Sequence, residues 1–393
     1  MPRSGATLRR VPPPCGHTSP DSPQAPPQRP PMSNHAPSQS ATRPATSAAP
    51  PPGAVDRPIV PGLPGRLAAM VYGAAIARRN RAFDAGRGVV TLDRPVISVG
   101  NLSTGGTGKS PMVAWIVRAL RDAGHDPCIA MRGYRSRDGL SDEAEEYRAA
   151  FDDLPVVARP HRLHGLIELF ASERGERVDS VVLDDGFQHR RIARGLDLAL
   201  IDATRDPFAD ALIPAGRLRE PVGSLRRATH VVITHAERVE PDVLARLAQG
   251  ISRVHGRPPI AVTEHAWSEL RITDSSGVRA EPVSWLRGRH VLAVCAIGNP
   301  APFLGGVQER GAHVVDAIVL RDHDRYAPRT ISRIVRRIAA SCAEAVVTTA
   351  KDWTKLARRD LSALGVPVVR PTLELRFREG ESALRAIVSE PPV

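Results

Sequence analysis

The chain has 393 residues, 42% of them hydrophobic, and a formal charge of +12. That length holds two packed units plus unstructured sequence. Cys15, Cys128, Cys295 and Cys342 are scattered without Cys-x-x-Cys spacing, which argues against a disulfide framework or a cysteine zinc site and fits a reducing cytoplasm.

The charge asks for a polyanionic partner. The arginines are spread along the chain rather than gathered beside aromatics, and no nucleic-acid module signature is present. That disfavours nucleic acid and leaves an anionic membrane surface or a phosphorylated substrate.

Residues 1–58 hold nearly half of the 37 prolines, mixed with Ser, Ala, Gln and Thr. Such a segment buries too little apolar surface to offset its ordering entropy and is predicted to be disordered. Over 59–88 the text changes. The apolar run Leu67–Ala77 is too short to span a bilayer. A helix over Leu63–Phe83 carries Leu67, Met70, Val71 and Ala74 on one side, and Arg78, Arg79 and Arg81 at its end. That pattern suits a helix lying in a lipid headgroup region, and equally a helix packed on a neighbouring core.

From 89 to 263 the pattern is α/β. Strand-like runs at Val96–Val99, Ser180–Leu183, Leu198–Ile201 and His230–Thr234 alternate with helical stretches such as Met112–Ala123, which predicts a parallel sheet with crossover helices. Within 264–289, a Ser275-Ser276-Gly277 turn between short polar strands reads as a hinge hairpin. A smaller α/β unit is predicted over 290–393, with strands near Val291–Cys295, His313–Val319, Ala345–Thr349 and Val366–Val369.

The first strand runs into a glycine-rich loop, Ser103-Thr104-Gly105-Gly106-Thr107-Gly108-Lys109-Ser110, and then a helix. This is the end of a Walker A motif, with Ser103 where its first glycine is usual. Backbone N–H groups and the helix dipole suit phosphate oxygens there. Lys109 is placed to reach the β- and γ-phosphates of ATP, and the Ser110 hydroxyl to ligate Mg²⁺. Only three of the 54 basic residues are lysine (Lys109, Lys351, Lys355), and a compact point charge is what a phosphate loop needs. Farther on, Val181-Val182-Leu183-Asp184-Asp185 ends an apolar strand in two carboxylates, candidates to hold the cation.

These strings resemble the tetraacyldisaccharide 4'-kinase family of lipid A synthesis. The resemblance continues through Arg132-Gly133-Tyr134, Ser141-Asp142-Glu143, Asp184-Asp185-Gly186-Phe187-Gln188-His189, Pro214-Ala215-Gly216-Arg217-Leu218-Arg219-Glu220-Pro221, Ile297-Gly298-Asn299-Pro300, Asp322-His323 and Lys351-Asp352, in the family's order. It implies a P-loop core, a two-stranded linker, a smaller C-terminal α/β domain and a membrane-associated N-terminal helix. It also implies transfer of the ATP γ-phosphoryl group to the 4'-hydroxyl of a lipid A disaccharide 1-phosphate, at the cytoplasmic face of the bacterial inner membrane.

By the same resemblance, Asp142 is the base, assisted by His323, and Lys109 completes the catalytic set. Asp184, Asp185, Ser110 and Glu143 surround the metal, while Arg162, His189 and Arg219 face phosphate or substrate. Two departures stand out: Ala350 replaces an acidic residue before Lys351, and the stretch His161–His164 matches loosely. The rival reading is a P-loop NTPase of the metallochaperone or partitioning type, although Cys or His metal-handling motifs are missing from the sequence.

Overall fold

The computed structural model describes residues 60–133, 142–297, 300–321 and 324–392, with the backbone alone described at Asp142. The predicted tail over 1–58 lies outside them.

The chain opens with helix α1 (Gly62–Asp84), followed by strand β1 (Val96–Asn101), α2 (Lys109–Asp122), β2 (Pro127–Met131), α3 (Asp142–Ala150) and β3 (Val156–Ala158). Then come α4 (Arg162–Phe170), the one-turn α5 (Glu173–Glu176), β4 (Ser180–Asp184), β5 (Leu196–Asp202), β6 (His230–Thr234) and α6 (Pro241–His255). A long strand, β7 (Ala261–Asp274), turns through Ser275-Ser276 into β8 (Gly277–Glu281). The remainder is β9 (His290–Cys295), α7 (Ala301–Glu309), β10 (His313–Val319), α8 (Pro328–Ser341), β11 (Ala345–Thr348), α9 (Ala350–Leu356), β12 (Val368–Glu379) and α10 (Glu381–Ser389).

The twelve strands of the described residues form one sheet, in the order β3-β2-β4-β1-β5-β6-β7-β12-β11-β9-β10, with β8 added to β7. Every pairing is parallel except those of β7 with β12 and with β8. This is the mixed, mostly parallel α/β fold that the alternating pattern predicts. β1, β4 and β5 are buried along their whole length, so they read as near-continuous apolar runs rather than alternating ones. One layer of core lies under α2, where Met112, Val113, Ile116 and Leu120 are fully buried. A second forms on the opposite side around Phe187, Leu225, Val231 and Ile251.

The structure extends the predicted pattern in two places. β2 and β3 had no counterpart in the sequence reading. The run near Val366–Val369 opens a twelve-residue strand that pairs with β7 along most of its length. After β12 the chain returns to the first strands, where Leu384 and Val388 of α10 bury against the α2 core. The parallel strands β9–β11 run against the direction of β7. Their carboxyl-terminal ends nevertheless approach those of the first strands, because α9 packs on α3 and Arg358 Nη2 lies 3.3 Å from Glu145 Oε2. The site grows at that convergence.

Candidate active site

β1 ends in the buried Asn101, and the loop from Leu102 to Gly108 carries the chain into α2. The loop is held from below and from the side. Asn101 Nδ2 donates to Ser103 O (2.8 Å), Thr104 N to Arg217 O (2.9 Å) and Arg219 N to Leu102 O (2.7 Å). Ser103 and Leu218 thus form an antiparallel bridge. Arg205 Nη1 donates to Thr104 O (3.3 Å) and Thr234 Oγ1 to Thr107 O (3.1 Å). Gly108 caps α2 at φ 78°, a left-handed conformation, and an added Cβ would meet the His265 ring at 2.7 Å. Having no side chain, this cap leaves the first N–H groups of α2 for a ligand.

Lys109 starts that helix. Its Nζ lies 3.4 Å from Asn101 Oδ1 and 3.5 Å from Asp185 Oδ1. The two aspartates at the end of β4 have different surroundings. Asp184 is 5% exposed, and burial pushes its carboxyl up, opposed by Lys109. Asp185 sits just past the strand at φ 52°. Arg219 Nη1 donates to both its oxygens, at 2.9 and 2.8 Å, and to Gln188 Oε1 at 3.3 Å. Burial pulls Asp185 upward, but Lys109 and Arg219 outweigh it and hold the carboxyl below its usual range. Beneath them Arg162, 2% exposed, donates from Nη1 to Asp185 O (3.2 Å).

His189 follows on the same turn, its N–H on Gly186 O at 2.8 Å. Burial, with Arg162 and Arg194 nearby, lowers its imidazole to about 4, so it is neutral at pH 7. The turn itself needs a glycine opposite it: a Cβ at Gly100 would meet Phe187 at 2.5 Å. From α3, Glu143 faces the same centre. Burial raises its carboxyl, Asp184 adds to that, and Lys351 and Lys109 oppose it.

α1 is fastened to this site. Tyr72 Oη donates to Arg219 O (2.8 Å), and Asn80 Nδ2 to Oε2 of the fully buried Glu220 (2.8 Å), which also binds Arg227 at 2.9 and 3.0 Å. Along the helix Gly65, Ala69 and Ile76 are buried, Gly65 against Val60. Leu63, Leu67, Met70 and Val71 point outward, 69%, 55%, 71% and 72% exposed. No described helix is long and apolar enough to cross a membrane.

Comparison with known proteins decides what this site belongs to. A family model described as tetraacyldisaccharide-1-P 4'-kinase (LpxK) matches residues 65–390. The tetraacyldisaccharide 4'-kinase of Anaeromyxobacter dehalogenans (strain 2CP-C) is 35% identical over 336 residues, covering 80% of this chain and 87% of its own. That of Geobacter sulfurreducens is 34% identical over 331 residues, covering 79% and 88%. The chain belongs to the tetraacyldisaccharide 4'-kinase family. The fold agrees: the crystal structure of the "apo" form of LpxK from Aquifex aeolicus in complex with ATP aligns with TM-score 0.63 and 26% identity, over 82% of this chain and 96% of that one. The protein is an ATP-binding kinase, a transferase of lipid A biosynthesis, and the metallochaperone or partitioning alternative is not favoured.

The 4'-kinase site fits the groups its reaction needs. The uncapped α2 terminus, the open space over Gly106 and the Lys109 ammonium suit a triphosphate. For Mg²⁺, Asp184, Asp185, Ser110 and Glu143 offer hard oxygens. Among the described residues no three acidic, His or Cys side chains form a ready-made cage, as suits an ion that keeps its waters and leans on phosphate oxygens.

Of the residues predicted from sequence, the structure gathers Ser103 to Ser110, Glu143, Arg162, Asp184, Asp185, His189 and Arg219 into one place. The Asp142 side chain and His323 lie outside the described residues. The sequence reading gave no role to Tyr147, Gln188 or Asn101, which hold the site, or to Lys351, which reaches it electrostatically. Gln188 and Lys351 lie inside strings that carry the resemblance, whereas for Tyr147 the available signal was its spacing, four residues after Glu143.

Proposed function

We propose that the kinase works with Mg²⁺ at an anionic membrane surface, the cytoplasmic face of the bacterial inner membrane, phosphorylating the 4'-hydroxyl of a tetraacyldisaccharide 1-phosphate. The observation that carries this reading is the fastening of α1, with its outward apolar stripe, to the backbone of Arg219 beside the phosphate loop. A lipid substrate keeps its acyl chains in the bilayer, so an enzyme that acts on its sugar gains from docking at the headgroup level. Arg66, Arg78 and Arg81 of the same helix are exposed, as anionic headgroups would favour.

In the chemical step the 4'-oxygen attacks the γ-phosphorus, the bond to the β-phosphate oxygen breaks with its electron pair leaving on ADP, and the hydroxyl proton passes to a base. We assign the base to Asp142, with His323 orienting it and sharing its charge. Lys109 supplies positive charge to the β- and γ-phosphates, leaving Asp185 to Arg219 when it turns from one to the other. When bound, Mg²⁺ would neutralise charge on the phosphate oxygens. Asp184, Asp185, Ser110 and Glu143 are the groups that would hold it. Arg219 restrains Asp185, while the buried Arg162 offsets the negative charge of the aspartate pair from below. His189, neutral, lines the substrate side.

The test is incubation of the protein with labelled ATP, Mg²⁺ and a tetraacylated disaccharide 1-phosphate in detergent micelles. Lys109→Ala should lower phosphoryl transfer by roughly 10²-fold or more, the usual worth of a charge aimed at the transition state, with the fold kept. Wild-type activity in that variant would overturn the phosphate-loop assignment.

A further inference from the structure

We propose that Tyr147 is a positioning residue of the phosphoryl-transfer site, whose hydroxyl sets the orientation of the Asp184 carboxylate and the rotation of α3. This rests on the reading of Asp184 as a group that faces Mg²⁺.

Tyr147 is 3% exposed, and its Oη donates to Asp184 Oδ2 at 3.0 Å while also contacting the Ser110 hydroxyl. One phenol thus joins α3 to the end of β4 and to the first turn of α2. A phenol keeps its proton at pH 7, so Tyr147 serves here as a donor to the carboxylate. A carboxylate with one oxygen held by a fixed donor presents the other in a fixed direction. Asp184 is itself buried, and a buried ionised group needs such donors.

Helix geometry carries the effect further. Glu143 and Tyr147 are spaced i, i+4 and share a face of α3, while Ala144 and Tyr147 enter the same core as Met112 and Phe151. Anchoring the phenol at Asp184 therefore fixes the turn of α3 that begins with Asp142 and Glu143. Packing alone calls for an apolar side chain here. A buried hydroxyl is costly unless it is used, and this one is spent on the strand-end carboxylate.

The test uses the full chain and Tyr147→Phe, which keeps the ring. A fluorescent ATP analogue is titrated without lipid, in Mg²⁺ and in EDTA, and kcat and melting temperature are measured alongside. The expected result is unchanged binding in EDTA, a gain in affinity from Mg²⁺ reduced roughly 10-fold, the scale of a hydrogen bond to a charged group, and a lower kcat. In an Asp184→Asn background, Tyr147→Phe should add nothing further.

Wild-type Mg²⁺ dependence and kcat in Tyr147→Phe, where Asp184→Asn loses both, would leave the metal reading standing and sink this one. So would losses that multiply, or an equal weakening in EDTA. If Asp184→Asn keeps the full Mg²⁺ gain, both readings fall. Should Tyr147→Phe melt early, Asp184→Asn must restore the melting temperature, and failure to do so overturns the proposal.

Discussion

His265 shows how closely single residues of this fold are committed. It lies on β7 with its ring against Gly108, an edge-to-face contact with His235 (centroids 4.3 Å) and Arg238 nearby. His235 in turn holds Asp202 at 3.2 Å, and Glu237 Oε2 accepts from the His265 N–H. Burial above all, with His235 and Arg238 adding and Asp202 opposing, lowers the His265 imidazole to about 3. Its unfolded value is near 6.5, so below that pH the unfolded chain binds more protons than the folded one. The stability tied to this group is therefore whole above pH 6.5 and is lost as the pH falls toward 3. At pH 5 the loss amounts to ~2 kcal/mol. His265→Gln should lose correspondingly less between pH 7.5 and 5, measured by urea unfolding at both. His189 acts in the same direction and is common to both proteins, so equal losses would mean that His265 is not held neutral. None of this was legible in the sequence, where His265 is one polar residue in a strand. The phosphate loop was, because its function fixes residue types at fixed spacing along a continuous stretch.

At the scale of elements, α1 (Gly62–Asp84) was half legible. Spacing predicts one apolar stripe at Leu67, Met70, Val71 and Ala74. A second stripe of small residues, Gly65, Ala69 and Gly73, runs beside it, and helical periodicity does not say which of the two meets the core. The small residues turn inward, Gly65 against Val60 and Gly73 against Leu212, which leaves the large ones outside. β7 was harder to see. Glu264, His265, Trp267, Ser268 and Glu269 give it a polar, half-exposed look, and its length becomes evident only from its pairing with β12. The geometry of α1 also determines how its membrane role is best tested. Deleting the helix would strip Tyr72 from Arg219 and Asn80 from the buried Glu220, damaging the site along with the surface. Replacing Leu67, Met70 and Val71 by Ser leaves those bonds intact. That variant should bind vesicles containing anionic lipid at least ~10-fold more weakly, from burial lost at three apolar side chains. Its activity on micellar substrate at saturation should change little. Vesicle co-sedimentation reads the first quantity, and unchanged binding would move the membrane contact off this helix.

The whole molecule brings together residues far apart in the chain, and sequence reasoning reached that scale only through the ordered succession of motifs. The short strings at Asp142-Glu143, Asp184-Asp185, Arg219, Asp322-His323 and Lys351-Asp352 are each unremarkable alone. What the fold adds is the convergence of two strand sets through β7 and β12, with α9 resting on α3. Asp352 is buried there, its Oδ2 accepting from Ala296 N (3.0 Å) and Thr349 Oγ1 (2.7 Å), which fixes the start of α9 and so the placement of Lys351 near Glu143. Catalysis that draws on both sets depends on how they close, and the proposed Asp142–His323 pair makes this testable. Asp142→Asn keeps the size of the side chain but removes its basicity, so kcat should fall by roughly 10²–10⁴-fold while ATP affinity changes little. His323→Ala should also lower kcat. If the imidazole works only by orienting the carboxylate and sharing its charge, it has little left to do once Asp142 is an amide, and the double variant should lose far less than the product of the single losses. An Asp142 that instead ligates the cation would show partial rescue by added Mg²⁺. Measuring both single variants and the double across a Mg²⁺ series separates the cases: multiplicative losses dissolve the pair, and metal rescue reassigns Asp142 to the cation.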